Sequence, residues 1–184
     1  MNLTVDIPVL ETERLRLRGM GEADLPMLIE IYGNENTARY IGGVKPRWQV
    51  WRQLATYVGH WAFRGFGFFC IEEKASGRAI GFCGPWEPDG WPEAEIGYGL
   101  LPAFHGKGYV TEAAVRSLQF AYGELGWKTA ISFIDAENTP SEAVAKRLGA
   151  VMDGEGLLFG DEPANIWRHL PPEQFFKLHG KASS

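Results

Sequence analysis

The stretch of this chain best equipped for chemistry runs from Glu95-Ile96-Gly97-Tyr98-Gly99-Leu100-Leu101, through Pro102-Ala103-Phe104, to His105-Gly106-Lys107-Gly108-Tyr109-Val110-Thr111-Glu112-Ala113. A strand-like apolar run passes through a glycine-bearing turn directly into an amphipathic pattern. Successive N–H groups at such a junction point outward, and the helix dipole adds partial positive charge to them. Lys107 adds a full cation, while Gly106 and Gly108 carry no side chain to obstruct a diphosphate. The stretch therefore reads as an anion site, although a glycine pair also serves plain tight turns. Two nucleotide signatures are excluded. Thr111 stands where the last glycine of G-x-G-x-x-G belongs. Gly108 follows Gly106-Lys107 where a P-loop needs Ser or Thr.

The elements that must hold this stretch follow from periodicity. Leu15 and Leu17 alternate with Arg14, Arg16 and Arg18, the period of a half-buried strand. A helix is predicted over 25–32, with Leu25, Leu28, Ile29 and Tyr32 on one stripe, and a second over 48–63, with Trp51, Leu54, Ala55, Val58 and Ala62 inward. Residues 67–73 and 78–84 read as a hairpin around Ala75-Ser76-Gly77, and 93–101 as a further strand. Val110, Ala113, Ala114, Leu118, Ala121 and Tyr122 share the face of a helix over 110–122. A strand over 128–134 follows. Thr139-Pro140-Ser141-Glu142 is a capping box with Pro at the first helical position, Gly149 supplies that helix's stop, and 165–170 is a last strand. The order β-α-α-β-β-β-α-β-α-β predicts one mixed α/β domain over 1–184. It is not a regular βαβ repeat. Pro171-Pro172 opens a polar tail that reads as a frayed appendage.

Composition narrows the partners. The 184 residues are 45% hydrophobic and 22% charged, which excludes a disordered or collagen-like chain. With 18 Lys plus Arg against 23 Asp plus Glu the net charge is −5, so no broad basic face is available for nucleic acid. The apolar run 66–71 is too short to cross a bilayer. Residues 1–9 lack the basic start and apolar length of a secretory signal, and the expectation is a cytoplasmic protein. Cys70 and Cys83 are the two cysteines, with no CxxC and no suitably spaced His, so no metal is expected. The hairpin would set Cys70 opposite Cys83, as two reduced, buried thiols.

Taken together, these motifs resemble the GNAT superfamily of N-acetyltransferases, and within it the RimJ/RimL type. The resemblance spans roughly 10–152. It rests on Glu11-Thr12-Glu13-Arg14-Leu15-Arg16-Leu17-Arg18, Ile80-Gly81-Phe82-Cys83-Gly84, Glu95-Ile96-Gly97-Tyr98, Gly106-Lys107-Gly108-Tyr109 with Thr111-Glu112-Ala113, and Asn138, Ser141 and Leu148-Gly149. It implies the GNAT fold: a central, mostly antiparallel sheet flanked by helices, with acetyl-CoA in the cleft between two central strands. The family's phosphate signature Q/R-x-x-G-x-G/A falls on His105, Gly108 and Val110, so the first and last places depart from it. The expected contacts are backbone N–H groups of His105, Gly106, Lys107, Gly108, Tyr109 and Val110. Those of Leu100 and Leu101 are expected to steady the thioester carbonyl and align the pantetheine arm. Asn138 is implied to contact CoA or hold the cleft, and Ser141 to protonate the departing thiolate, although both residues are also ordinary helix caps. Some relatives carry a tyrosine acid further along this helix, where this chain has Ala145.

Glu95 matches a recurrent acidic position beside the acetyl group and is the expected general base; the alternative is an ion pair with one of the N-terminal arginines. The implied reaction is acetyl transfer from acetyl-CoA to a primary amine, a protein N-terminus or a small molecule, by direct attack without an acyl-enzyme, in a monomer or homodimer. Trp48, Trp51, Trp61, Trp86 and Trp91, with Glu87 and Asp89, fall in the acceptor half, where aromatic walls suit a cationic amine and core packing is the ordinary explanation. The rival reading is a non-catalytic acetyl-CoA-binding regulatory module of the same fold.

Overall fold

Leu15 and Leu17 are fully buried while the arginines between and after them reach outward, so the strand alternation holds. The computed structural model describes residues 5–158 and 162–181. Its strands are β1 (Leu10–Glu11), β2 (Leu15–Arg18), β3 (Phe69–Glu73), β4 (Arg78–Trp86), β5 (Glu95–Leu100), β6 (Ile131–Ile134), β7 (Val151–Leu158) and β8 (Glu162–Arg168). The helices are α1 (Leu25–Gly33), α2 (Glu35–Ala38), α3 (Arg47–Arg64), α4 (Tyr109–Gly123), α5 (Thr139–Arg147) and α6 (Pro172–His179). The eight strands form one sheet in the order β1-β2-β3-β4-β5-β6-β8-β7. Every neighbouring pair is antiparallel except β5 and β6, which run parallel.

The β3–β4 hairpin corrects the cysteine register. A bulge at Ile71/Glu72 sets Cys70 opposite Phe82 and Cys83 opposite Phe69, so the thiols point to opposite faces of the sheet. Cys70 lies against Asp24, just ahead of α1, and Cys83 lies beneath Ser117 of α4. Both are free. Helices thus cover both faces.

One helix, α3, turns a different side inward from the one expected, while in α1 Leu25, Leu28 and Tyr32 are buried as expected. In α3 the buried residues are Val50, Leu54, Tyr57 and Trp61, at helical spacing, whereas Trp51 is 48% exposed and donates its indole N–H to Glu22. The sequence carries two overlapping apolar stripes, and contact with the sheet selects one. In α1, Met27 and Ile31 are buried and Ile29 only partly so. The chain beyond β8 holds the largest correction. Instead of fraying, Pro172–His179 forms α6, whose Phe175 is fully buried against Tyr122 of α4. Residues 182–184 of the expected tail lie outside the described residues. A strand missing from the expected order, β7, pairs with β8 at the sheet edge. Gly149 ends α5 as expected, at φ +83, and a Cβ there would meet Leu170 at 2.6 Å.

Candidate active site

The site exists because β5 and β6 separate. Their ladder has a single registered pair, Glu95 with Ile131. Past it, contact passes to side chains: Ser132 Oγ donates to Ile96 O at 2.7 Å, and the Phe133 N–H donates to Glu95 Oε1 at 3.2 Å. The remaining β5 edge has no strand beside it, and a cleft opens there. Leu101 donates its N–H to Ile80 O at 2.9 Å across the β4 side. In the alternating phase of an antiparallel ladder, the main-chain groups of Tyr98 and Leu100 therefore face the cleft. This corrects half of the expectation for this segment: the Leu100 N–H is directed at the cleft, but the Leu101 N–H is already engaged and Leu101 is buried.

The glycine loop closes one end of that cleft. Gly106 and Gly108 both sit in the left-handed region, at φ +74 and +80, and Gly108 is the residue from which α4 starts. A Cβ on Gly106 would meet nothing within 4 Å, while one on Gly108 would sit 3.5 Å from Arg14 Nη2. No side chain caps α4, so the N–H groups of its first turn lack intrahelical acceptors and face the opening. A helix start of this kind favours an anion.

Side chains of the loop brace it. His105 donates from Nε2 to Leu100 O at 3.0 Å, fastening the loop to the end of β5, so the imidazole here serves the backbone. Lys107 holds its ammonium 5.0 Å from the Phe104 ring centroid. Tyr109 turns its hydroxyl to Glu73 and lies under the Arg14 guanidinium. Val110 is half-buried against the core and lines the cleft.

The acidic partner of Arg14 is Glu112, one turn into α4. Its carboxylate accepts from Thr12 Oγ1 at 2.6 Å, from the Arg14 N–H at 2.9 Å and from Arg14 Nε at 2.6 Å, while Arg14 Nη1 donates to Lys107 O at 2.9 Å. Burial alone would raise the Glu112 pKa; the Thr12 and Arg14 contacts outweigh it and hold the carboxyl below its ordinary value. The sequence singled out this N-terminal motif by its strand alternation and by likeness, without a task for Arg14. Its physical role is to lock the loop.

The cleft has a volume of about 1540 Å³ and runs from this loop to the start of α5. A second chamber of about 470 Å³ adjoins it, and Tyr40, Ile41, Tyr98, Asn138 and Ser141 line both. Asn138, not Thr139, caps α5: its Oδ1 accepts the Ser141 N–H at 3.3 Å. The capping role expected as the ordinary alternative is thus present, and it places both residues at the junction. Ala145 is buried against Ile134, Ala150 and Trp167 and lines neither cavity, so the alanine there leaves the cleft unchanged. Tyr98, which the sequence placed in a motif without giving it a task, donates its hydroxyl to Ser141 O at 3.3 Å, and burial keeps its phenol protonated well above neutral pH.

Glu95 lies on the chamber side. It makes no ion pair among the described residues; the N-terminal arginines expected as its alternative partners pair elsewhere, Arg14 with Glu112, Arg16 with Glu11 and Glu72, and Arg18 with Asp24 and Glu72. Trp91 donates its indole N–H to Glu95 Oε2 at 2.9 Å. Burial, the dominant effect, pushes the Glu95 pKa up to about 7, against these hydrogen bonds. A carboxyl poised there can take a proton at neutral pH. Neither cysteine competes as a nucleophile: burial lifts the Cys83 thiol to about 12 and Cys70 further. His60 and His179 engage Phe66 O and Leu148 O, and His169 Nε2 lies 3.0 Å from Ser132 Oγ, behind the chamber wall. Among the described residues no cluster of His, Cys, Asp or Glu has the arrangement of a metal site, and no helix is long and apolar enough to cross a membrane.

The sheet thus splits between two parallel neighbours, and a helix starts at the mouth of the split. The chain belongs to the GNAT acetyltransferase family: the acetyltransferase (GNAT) domain matches residues 14–151. An uncharacterized protein, YkkB, of Bacillus subtilis (strain 168) is 30% identical over 148 residues, covering 76% of this chain and 83% of its own length. The crystal structure of an acetyltransferase from Agrobacterium tumefaciens str. C58 superposes with a TM-score of 0.82 at 30% identity, covering 92% of this chain and 98% of that one. The ribosomal L7/L12 alpha-N-protein acetyltransferase RimL, in complex with coenzyme A, shares the fold at a TM-score of 0.69 and 21% identity, over 89% of this chain and 98% of that one.

Proposed function

We propose that the protein is an acetyl-CoA-dependent N-acetyltransferase of RimJ/RimL type that acts on a primary amine, a protein N-terminus or a small molecule, within a ternary complex in the cytoplasm. The observation that carries this reading is the junction. A cleft ending in unpaired N–H groups and a chamber holding a raised-pKa carboxyl meet at Tyr98, Asn138 and Ser141. Acetyl-CoA fits the cleft by its chemistry. The diphosphate matches the α4 start and the loop from His105 to Val110, the open space over Gly106 leaves room for it, and the pantetheine amides match the main-chain groups of Tyr98 on the β5 edge. Bound there, the thioester would supply the activated acetyl group.

The residues of the chain do the rest. Glu95 accepts the proton of the ammonium, directly or through water, so that the amine nitrogen carries a free pair. That nitrogen bonds to the acetyl carbon, the carbon–sulfur bond breaks, and the sulfur leaves with the bonding pair. The Leu100 N–H steadies charge on the carbonyl oxygen. Ser141 gives its proton to the departing sulfur and takes in its place the proton that the nitrogen loses as the amide forms, with the Tyr98 phenol as the second hydroxyl in the junction. An α-amine, with a reference pKa of about 7.7–8.0, demands less of such a base than a lysine at about 10.4.

The test is titration with acetyl-CoA together with measurement of thiol release over an amine panel. Binding with amine-dependent release is the expected result. Binding without turnover by any amine would instead favour the non-catalytic module.

A further inference from the structure

The 470 Å³ chamber is built from rings. Trp86 stacks on Phe68 at 4.6 Å and 5°, with Tyr57 edge-on to both. Phe82 leans on the same group at 5.0 Å from Phe68. On the opposite side Trp91 meets Phe133 edge-on at 6.1 Å. The tryptophans expected on the acceptor side thus divide: Trp86 and Trp91 wall the chamber, Trp61 is in the core, and Trp48 and Trp51 are exposed on α3.

Polar groups share the walls with the rings: Gln53, Ser132, Asn138 and Ser141 also line the chamber. At the inner end stands the Glu95 carboxylate, and elsewhere the Tyr32 and Tyr57 hydroxyls are hydrogen-bonded to one another at 2.5 Å. Lys45 and Glu162 also line it, close enough that each alters the field felt by the other.

We propose that the amine acceptor is a small primary monoamine carried on an aromatic or similarly flat apolar body, which seats among Phe68, Phe82 and Trp86 and presents its nitrogen to Glu95. This rests on the acetyl-transfer reading of the junction and narrows its acceptor to one class. The chamber volume is that of a small-molecule site, within the roughly 300–1,000 Å³ usual for one. Its walls offer an aromatic body the edge and offset contacts that rings favour. A polypeptide would bring an N–H and a C=O with every residue, and phenyl walls leave those groups unpaired. A polyamine would lay a second ammonium and its stem along the rings, where Glu162, already beside Lys45, is the further carboxylate of the lining. An amino-sugar would set a ring of hydroxyls against Phe68, Phe82 and Trp86, which offer them no hydrogen bond. A lone ammonium at the end of a flat body pairs with the Glu95 carboxylate and brings no second charge into the chamber.

The experiment compares kcat/KM for 2-phenylethylamine and tryptamine with values for spermidine, glucosamine and tetrapeptides with free α-amines, all at saturating acetyl-CoA. Titration of acetyl-CoA into the same protein runs alongside. The expected result is at least a hundredfold preference for the two aromatic amines. In Trp86→Leu their KM should rise at least tenfold while the Kd for acetyl-CoA stays within twofold. Acetyl-CoA binding combined with a preference for peptide, polyamine or sugar, or with no turnover of the aromatic amines, overturns the acceptor class. An unchanged KM in folded Trp86→Leu does the same. Failure to bind acetyl-CoA at all overturns the acetyl-transfer reading beneath it, so the two failures are told apart by the titration alone.

Discussion

Arg14 and Glu112, 98 residues apart in sequence, are joined by hydrogen bonds from both the backbone and the side chain of the arginine to the two oxygens of one carboxylate. The same guanidinium donates to Lys107 O, so the turn between β1 and β2 grips the glycine loop and the first turn of α4 together. Charge-assisted bonds of this kind contribute about 1.5–3 kcal/mol each in favourable settings, and less where, as at Arg14, the side chain is 43% exposed.

Arg14→Ala is therefore expected to act on binding more than on folding. The Kd for acetyl-CoA should rise about tenfold, which corresponds to ~1.4 kcal/mol. Calorimetric titration measures it, and kcat at saturation should change much less. An affinity equal to that of the unaltered protein would separate this clamp from the anion site.

Gly108→Asp tests the loop itself. Aspartate and asparagine are similar in size and both tolerate positive φ better than most residues, so Gly108→Asn serves as the uncharged control. The carboxylate of the aspartate variant would sit beside Arg14 at the mouth of α4, where an anion is expected. Acetyl-CoA affinity should fall at least a hundredfold in the aspartate variant and far less in the asparagine one. Circular dichroism should show both folded.

Glu95→Gln should lower kcat by about 10²–10⁴, the usual worth of a positioned base, with acetyl-CoA binding retained. In the unaltered protein kcat/KM should climb with pH and level off above about 7, where Glu95 is deprotonated. The variant should lack that inflection.

Stability gives an independent reading of the same carboxyl. Its folded pKa, about 7, lies above its ordinary value of 4.5, so between those values the folded state holds a proton that the unfolded chain has lost. The contribution of Glu95 is greatest below pH 4.5 and disappears as pH rises through 7. Thermal melts should show the Tm of Glu95→Gln gaining on the unaltered protein as pH rises across that window. A Tm difference that stays constant from pH 5 to 8 would place the carboxyl in an ordinary, hydrated setting.

Ser141→Ala and Tyr98→Phe separate the two hydroxyls at the junction. Ser141 caps through its backbone N–H, so the alanine variant should keep its Tm within a degree or two while kcat falls roughly tenfold or more, in the range of a positioned acid. If only Tyr98→Phe slows the reaction, the phenol is the proton donor. Pre-steady-state thiol release makes the measurement.

The sequence by itself determined the order of most elements, the alternation of β2, the glycine stop after α5 and the strand–turn–helix that ends the cleft. These depend on periods and special residues within a few positions of one another, and local sterics enforce them wherever the segment lies. Glu95 stood out by another route, through the resemblance of its strand motif to the acetyltransferase family. Tertiary structure decided what depends on distant partners. The inward side of α3 was chosen by contact with the sheet between stripes of similar apolar content. The fate of the residues after Pro171 was decided by a space beside Tyr122 that only Phe175 fills. The raised pKa of Glu95 comes from burial beside Trp91 and Phe133, and the rigidity of the loop from an arginine nearly a hundred residues upstream. Even the cleft is a tertiary property: β5 and β6 are both good strands, and the site opens where their pairing stops after Glu95 and Ile131.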